Sequence, residues 1–203
     1  MQQKDYFAHK SKSWDMNSRR VKNAKNIAKL ISKNINPSKD MIVMDLGAGT
    51  GLLSFFISPF VKKIVAIDNS PSMLKEFISK SDEFISQTEA IETDIMKYQP
   101  DFNYNLIVSS MTIHHIKDIP ALFSKLYDLL DAGGYIAIAD LDSEDGTFHA
   151  EDTGVCHLGF DRDWIVDIAN KAGFQDIKIQ TASIINKPHK DFSVFLLTAS
   201  KHF

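Results

Sequence analysis

Cysteine is almost missing from this chain: Cys156 is the only one. A lone thiol excludes an internal disulfide framework and suits a reducing compartment, so the cytoplasm is the expected location. Cys156 is expected to fill space rather than to act as a nucleophile. No stretch approaches the ~20 uninterrupted apolar residues of a membrane span. The opening Met-Gln-Gln-Lys-Asp-Tyr-Phe lacks the apolar centre of a secretory signal, so no leader is expected. Repeats, low-complexity tracts and linkers are missing too, which predicts one domain over residues 1–203. With 44% hydrophobic and 24% charged residues the composition is that of a soluble globular protein.

Strong net charge is also lacking, at −3, yet the sum hides an asymmetry. Residues 1–34 carry nine Lys/Arg against two Asp, while the remainder holds 14 basic and 24 acidic residues. A basic arm can track phosphates. Here Arg19, Arg20, Lys22, Lys25 and Lys29 interleave with Val21, Ala24, Ile27, Ala28, Leu30 and Ile31 at helical spacing. That pattern predicts a helix over 17–34 with a solvated basic face. The acidic remainder argues against a nucleic-acid partner.

What is present is a strand that stops at glycines. The apolar run 41–46 ends at Gly47, Gly49 and Gly51, and an apolar helix pattern follows over 51–60. Glycine serves where φ must be positive or where a ligand must approach the backbone closely. A second buried strand, 63–67, ends at Asp68, and Ser70-Pro71 opens a helix to about residue 80, with Ser as cap and Pro in the first turn. A faint third strand, 88–92, ends at Thr93-Asp94-Ile95. A clear fourth spans 105–110. A helix over 119–130 opens on Asp118 and Pro120 and stops at Gly133-Gly134. The fifth strand, 135–141, is continuously apolar, and a helix over 162–172 lies between Asp161 and Gly173. Two strands near 177–184 and 192–200 are close enough to form a hairpin. Alternating strands and helices predict an α/β doubly wound, Rossmann-like, mostly parallel sheet with helices on both faces. Ligands of such sheets gather at the carboxyl ends of the strands, where the order reverses.

Asp45-Leu46-Gly47-Ala48-Gly49-Thr50-Gly51, followed about 20 residues later by an acid at the tip of the second strand, closely resembles the class I S-adenosylmethionine-dependent methyltransferases. The agreement extends in order over nearly the whole chain. The resemblance is to the small-molecule members, type 11/12-like and similar to quinone-biosynthesis enzymes. It implies a seven-stranded sheet with an antiparallel C-terminal hairpin and S-adenosyl-L-methionine as cofactor, leaving S-adenosyl-L-homocysteine. Asp45 would orient the glycine turn and lie near the methionine amino group. Gly47, Ala48, Gly49 and Gly51 would form the backbone cradle, and Asp68 would take the ribose hydroxyls. Asn69 and Met73 would flank the adenine, with core packing an equal reading for Met73. Asp94 would accept the adenine amino group and the Ile95 N–H would reach a ring nitrogen, with a helix cap as the other reading of Asp94. Ser110 and Met111 would sit beside the sulfonium. Trp14, in an aromatic arm with Tyr6, would pack on the methionine end or serve stability alone. Residues 1–36 would be an arm or lid, 37–145 the cofactor half and 146–203 the acceptor side.

The segment after the fourth strand, Ser109-Ser110-Met111-Thr112-Ile113-His114-His115-Ile116, reports on the acceptor. It lacks the Asn/Asp-Pro-Pro-aromatic run of amine methylases acting on nucleic acids and the Pro-Cys nucleophile of cytosine-C5 enzymes. It also lacks paired glutamates for a guanidinium and an acid to hold a metal. A small acceptor, apolar or aromatic, remains. His114 and His115 are the first base candidates, because imidazole titrates near neutrality; packing of one and exposure of the other is the alternative. After the fifth strand come Asp140, Asp142, Glu144, Asp145, His149, Glu151, Asp152 and His157. Their spacing fits no standard metal site, and no metal is expected. His149 and His157 are instead candidates to line the acceptor, with Phe148 and Phe160 as apolar walls. RNA or protein methylation through the basic arm, a nicotinamide oxidoreductase and a binding-only domain remain the alternatives. Against the oxidoreductase, the third glycine comes one residue early and no Tyr-x-x-x-Lys occurs.

Overall fold

The computed structural model describes residues 5–149, 151 and 153–202; Asp152 and residues 1–4 lie outside them. Seven strands form one sheet: β1 (Ile42–Leu46), β2 (Lys63–Asp68), β3 (Gln87–Glu92), β4 (Tyr104–Ser110), β5 (Leu130–Leu141), β6 (Gln175–Lys187) and β7 (Lys190–Ser200). Their spatial order is β3-β2-β1-β4-β5-β7-β6. The first five pair in parallel, and β7 is inserted antiparallel between β5 and β6, as the family resemblance implied. The order reverses between β1 and β4, which puts the expected ligand crevice at the carboxyl ends of those two strands.

Side chains alternate across the sheet with the period of two that strands impose. Met44, Leu46, Val65, Ile67, Ile107 and Ile138 point to one face. There they meet α4 (Ile119–Leu129) and α5 (Arg162–Lys171) through Leu122, Phe123, Leu126, Ile165 and Ile168. Val43, Ile64, Leu106, Val108 and Ala137 point to the other, against α1 (Ser18–Ile35) and α2 (Leu52–Ile57). Helix α3 (Pro71–Ser79) covers Ala48 and Ala66 through Leu74 and Phe77. Because the central strands are apolar on both sides, the polar groups at their tips are the informative ones.

Helix starts follow the sequence chemistry. Asn17 Oδ1 accepts from the N–H groups of Arg19 and Arg20, Ser70 Oγ from Met73, Asp118 Oδ1 from Ala121 and Asp161 Oδ1 from Trp164. Two expected boundaries differ. Helix 51–60 is α-helical only to Ile57, and Ser58–Phe60 tightens into a 3-10 turn containing Pro59. Strand β5 begins at Leu130, five residues early, and runs through Gly133-Gly134. The glycines do not end the element; they let it bend while the Gly133 N–H donates to Lys201 O at 2.7 Å and the Lys201 N–H to Gly134 O at 2.8 Å. A register shift against β4 between Tyr104 and Leu106 absorbs the irregularity.

Replacing the exposed cap Asp118 with Ala should cost about 1 kcal/mol of unfolding free energy and leave ligand binding at the strand tips unchanged. Urea unfolding beside calorimetric ligand titration reads both.

Candidate active site

A cavity of about 460 Å³ opens at the switch point, within the usual range for small-ligand sites. Its floor is the turn after β1. A Cβ on Gly47 would come within 2.1 Å of the Thr112 side chain, and one on Gly51 within 2.6 Å of Phe77. Both positions are closed by protein. A Cβ on Gly49 would meet only Met73 Cε at 3.8 Å, and Gly49 lines the cavity. Gly51 does not line it; its part is packing beneath α3.

Carboxylates dominate this end. Asp68 Oδ2 accepts the Gly49 N–H and Oδ1 the Ser70 N–H, both at 2.8 Å. Burial raises its pKa, against the pull of those backbone donors. Asp45 is wholly buried; burial pushes it up to about 7, the nearby Asp68 charge adds to this, and the Ser54 hydroxyl at 2.6 Å opposes it. Among the described residues neither carboxylate has a cationic partner. Asn69, Met73, Asp94, Ile95, Ser110 and Met111 all line the cavity, as do Ala48 and Gly47. Met73 is also buried in the α3 core, and Asp94 Oδ1 caps the turn Ile95–Lys97 through Met96 N–H at 2.9 Å. Met111 holds φ +58°, a left-handed backbone that costs a non-glycine residue about 1–2 kcal/mol; its N–H is bonded to Ala139 O at 2.9 Å. Strain of this kind gathers at functional sites.

The other end is a histidine cluster. His114 is buried, and its Nδ1 lies 2.6 Å from Asp140 Oδ1; Asp140 also accepts from the N–H groups of His114 and Leu141. A carboxylate can only accept, so Nδ1 carries the hydrogen of that bond, and in the neutral ring the lone pair is then on Nε2. The Nε2 atoms of His114 and His149 are both buried with no hydrogen-bond partner among the described residues. Ring centroids separate His114 from His115 by 4.2 Å and from His149 by 5.0 Å. Burial, then the neighbouring imidazoles, holds His115 and His149 down to about 4, so both are neutral at pH 7. Unmet buried hydrogen bonds cost about 1–3 kcal/mol each unless something meets them.

The N-terminal arm contributes Phe7, Lys10 and Trp14 to the cavity wall. Asp5 accepts from Ser70 Oγ at 2.8 Å and from the Ser72 N–H. Asp15 accepts from Thr50 Oγ1 at 2.5 Å and pairs with Lys80. Phe7 meets Trp14 and His115 edge-on, and the Arg20 guanidinium lies 3.6 Å from the centre of the Trp14 ring. Trp14 therefore lines the cavity and also anchors the arm.

The structure brings His114, His115 and His149 together but not His157, whose Nε2 sits against the carbonyls of Ile116 and Lys117 while its ring packs on Phe160. Phe148 lines the cavity; Phe160 is buried in the core instead. Cys156 is exposed rather than a filler. The acidic loop is largely paired: Asp142 with Arg162, Asp145 with Lys190 and Glu151 with Lys10. Among the described residues no group of three metal-ligating side chains is assembled, and no helix is long and apolar enough to cross a membrane. Sequence reasoning missed the Asp140–His114 pair. Its signal was an acid closing an otherwise apolar strand. It also missed Arg19, Arg20, Asn23 and Lys187, which line the cavity.

The chain matches the family described as "Methyltransferase domain" over residues 16–179. It is 30% identical over 164 residues to an uncharacterised methyltransferase of Schizosaccharomyces pombe, covering 72% of this chain and 56% of that protein. With the carboxy-S-adenosyl-L-methionine synthase of Yersinia enterocolitica, identity is 27% over 177 residues, 81% of this chain and 62% of the other. The chain thus spans between half and two thirds of the length of these curated relatives. The N-methyltransferase NodS of Bradyrhizobium japonicum, solved with S-adenosyl-L-homocysteine, superposes with a TM-score of 0.74 at 13% identity, covering 98% of this chain and 99% of that one. Phosphoethanolamine N-methyltransferase 2 of Haemonchus contortus gives 0.71 at 19% identity, over 88% of this chain and 53% of that one. At such identities the structural likeness is one of fold. The family match carries the assignment: this chain belongs to the methyltransferase-domain family, in the class I S-adenosylmethionine-dependent group. The oxidoreductase alternative is left without support.

Three substitutions test this geometry. Gly51→Ala should lose about 2–4 kcal/mol, from left-handed strain plus overpacking on Phe77. Gly49→Ala should lose no more than about 1–2 kcal/mol and weaken ligand binding instead. Asp45 holds its proton more tightly folded than unfolded, so its contribution is fully present below about pH 4 and is lost as pH climbs to about 7. His115 and His149 work in the opposite sense, losing their contribution as pH falls from about 6.5 to about 4. The readout is therefore a difference: Asp45→Asn should gain stability relative to the parent between pH 4 and 7. A flat difference in urea titrations would remove the buried-carboxylate account.

Proposed function

We propose that this chain transfers a methyl group from S-adenosyl-L-methionine to a small-molecule acceptor, with an apolar or aromatic body, at oxygen, nitrogen or carbon. The observation that carries this reading is a pair of carboxylates, the buried Asp45 and the half-buried Asp68, with no cationic partner among the described residues, around a glycine whose missing Cβ leaves the cavity clear. Such a site suits a ligand with a positive charge and a diol. Family membership supports the cofactor. Small-molecule methyltransferases among the relatives, including phosphoethanolamine N-methyltransferases of Arabidopsis thaliana, support the acceptor class.

Asp68 would take the ribose hydroxyls on lone pairs left over from its two backbone bonds, and Asp45 would face the ammonium group. Asn69, Met73, Asp94 and Ile95 would enclose the adenine, with Ser110 and Met111 at the methyl-bearing end. The bound cofactor supplies an already activated methyl group on a sulfonium. The protein's work is then placement of the acceptor and exclusion of water. The arm of residues 5–17, docked through Asp5 and Asp15, would serve as the lid. Where the acceptor must lose a proton, His114 Nε2 would receive it, with Asp140 stabilising the imidazolium across Nδ1. That atom is buried, with the His115 and His149 rings close by, so the acceptor's arrival has to uncover it. Ile116, Phe148 and Ile185 would supply the apolar wall.

Calorimetry with S-adenosyl-L-homocysteine tests the cofactor reading. The parent should bind one equivalent and Asp68→Ala should bind about 100-fold more weakly, the loss of two charge-assisted hydrogen bonds. Equal affinity in the variant contradicts it. Long-range 1H–15N spectra of the imidazoles test the base: His114 should be the Nδ1–H tautomer, and Asp140→Asn should shift it. A Nε2–H tautomer in the parent removes the proposed role.

A further inference from the structure

The cavity is polarised. Opposite the acidic cofactor end, Arg19, Arg20 and Lys187 line it. Among the described residues none of the three forms an ion pair. The two arginines occupy the first turn of α1, which contains no acidic residue. Cations there oppose the helix dipole, which favours negative charge at an N-terminus. Lys187 adds a third positive charge close enough for Arg19 and Arg20 to depress its pKa, after burial and against Glu144. Arg20 donates to Trp14 O and Lys187 to Phe148 O, while the nearest carboxylates, Asp15 by Arg20 and Glu144 by Lys187, are hydrogen-bonded to other groups: Asp15 to Thr50 and Lys80, and Glu144 Oε2 to the N–H groups of Gly146 and Phe148.

An independent sign of a missing partner lies one turn along the same helix face. Asn23 is 5% exposed, lines the cavity, and its buried Oδ1 has no hydrogen-bond partner among the described residues. Turned either way round, that amide offers an unmet bond to whatever fills the space. The cationic wall also adjoins the histidines. Lys187 Nζ lies 4.1 Å from the centre of the Phe148 ring, Phe148 stands 4.8 Å from His149, and His149 stands 5.0 Å from His114. By contrast Lys22, Lys25 and Lys29 are exposed and do not line the cavity. The basic arm is thus divided between an inner and an outer face.

We propose that the acceptor is an acid: a small molecule whose carboxylate or phosphate group is held by Arg19, Arg20 and Lys187, with its remaining body against Phe148 and its methylated atom toward His114. This deepens the methyltransferase reading and rests on it. The anion offsets mutual repulsion of the three cations and the helix dipole, and Asn23 contributes a hydrogen bond to the same ligand. Arg19 and Arg20 are acceptor-binding residues in this account, not part of a nucleic-acid face.

The test uses the full chain saturated with S-adenosyl-L-homocysteine, titrated at fixed ionic strength with inorganic pyrophosphate in one arm and succinate in the other. One-to-one binding of either supports the proposal and identifies the phosphate or carboxylate form. Arg19→Gln and Lys187→Gln should each weaken it about tenfold, while Lys25→Gln leaves it unchanged. Arg19 is exposed and its side chain makes no hydrogen bond within the described residues, so that variant keeps the test valid if Lys187→Gln fails to fold. No heat from either probe, in a sample that binds S-adenosyl-L-homocysteine, overturns the acid acceptor and spares the cofactor reading. Equal weakening by Lys25→Gln also overturns it, as does tighter binding of a ten-nucleotide oligouridylate lost on changing Lys22, Lys25 and Lys29. Absence of S-adenosyl-L-homocysteine binding overturns both readings.

Discussion

The structure turns on the carboxylate of Asp68. It stands at the tip of β2, beside β1 in parallel register, with Leu46 opposite Ile67. From there it takes the Gly49 N–H on one oxygen and the Ser70 N–H on the other. Hydrogen bonds to a charged group contribute about 1.5–3 kcal/mol each, and these two join three segments. The first shapes the glycine turn, aided by the Gly47 N–H on Ile67 O at 2.7 Å. The second sets Ser70 as the cap of α3. Ser70 in turn donates to Asp5, so the arm's docking is continuous with the same clamp. One acid thereby connects strand, glycine turn, helix and N-terminal arm.

Around that clamp the cavity separates charge. Acids line one end and cations beside a cluster of tilted imidazoles the other, and among the described residues neither Asp45 and Asp68 nor Arg19, Arg20 and Lys187 form an ion pair. Each arrangement is costly by itself: carboxylates whose pKa values burial raises, like charges at a helix N-terminus, ring nitrogens with no partner among the described residues, and Met111 in a left-handed backbone. Natural sequences accept local conflicts of this sort where a ligand resolves them. That several conflicts share a single cavity is the strongest structural reason to place function there.

Much of this was legible in the residues. Glycines bounded by an apolar run, and an acid at the next strand tip, are local signals within about 25 residues. Ser70-Pro71 and Asp118 announced helix starts for equally local reasons. What escaped reading depended on strand neighbours. Asp140 and His114 lie 26 positions apart and meet only because β4 and β5 pair, with Ser110 opposite Ala139. The paired glycines at 133–134 looked like a stop because their bend is tolerated only through bonds to Lys201, nearly 70 residues away. His157 looked like His149 in sequence, yet its ring nitrogen is taken by backbone carbonyls. Arg19 and Arg20 looked like Lys22 and Lys25 because helical spacing fixes a face without saying what the face meets.

The most direct examination of the central claim is a crystal structure of the chain grown with S-adenosyl-L-homocysteine. The account requires both ribose hydroxyls within hydrogen-bond distance of the Asp68 carboxylate, with that carboxylate still bonded to the Gly49 N–H. Density for the ligand elsewhere, or a ribose turned away from Asp68, would contradict it.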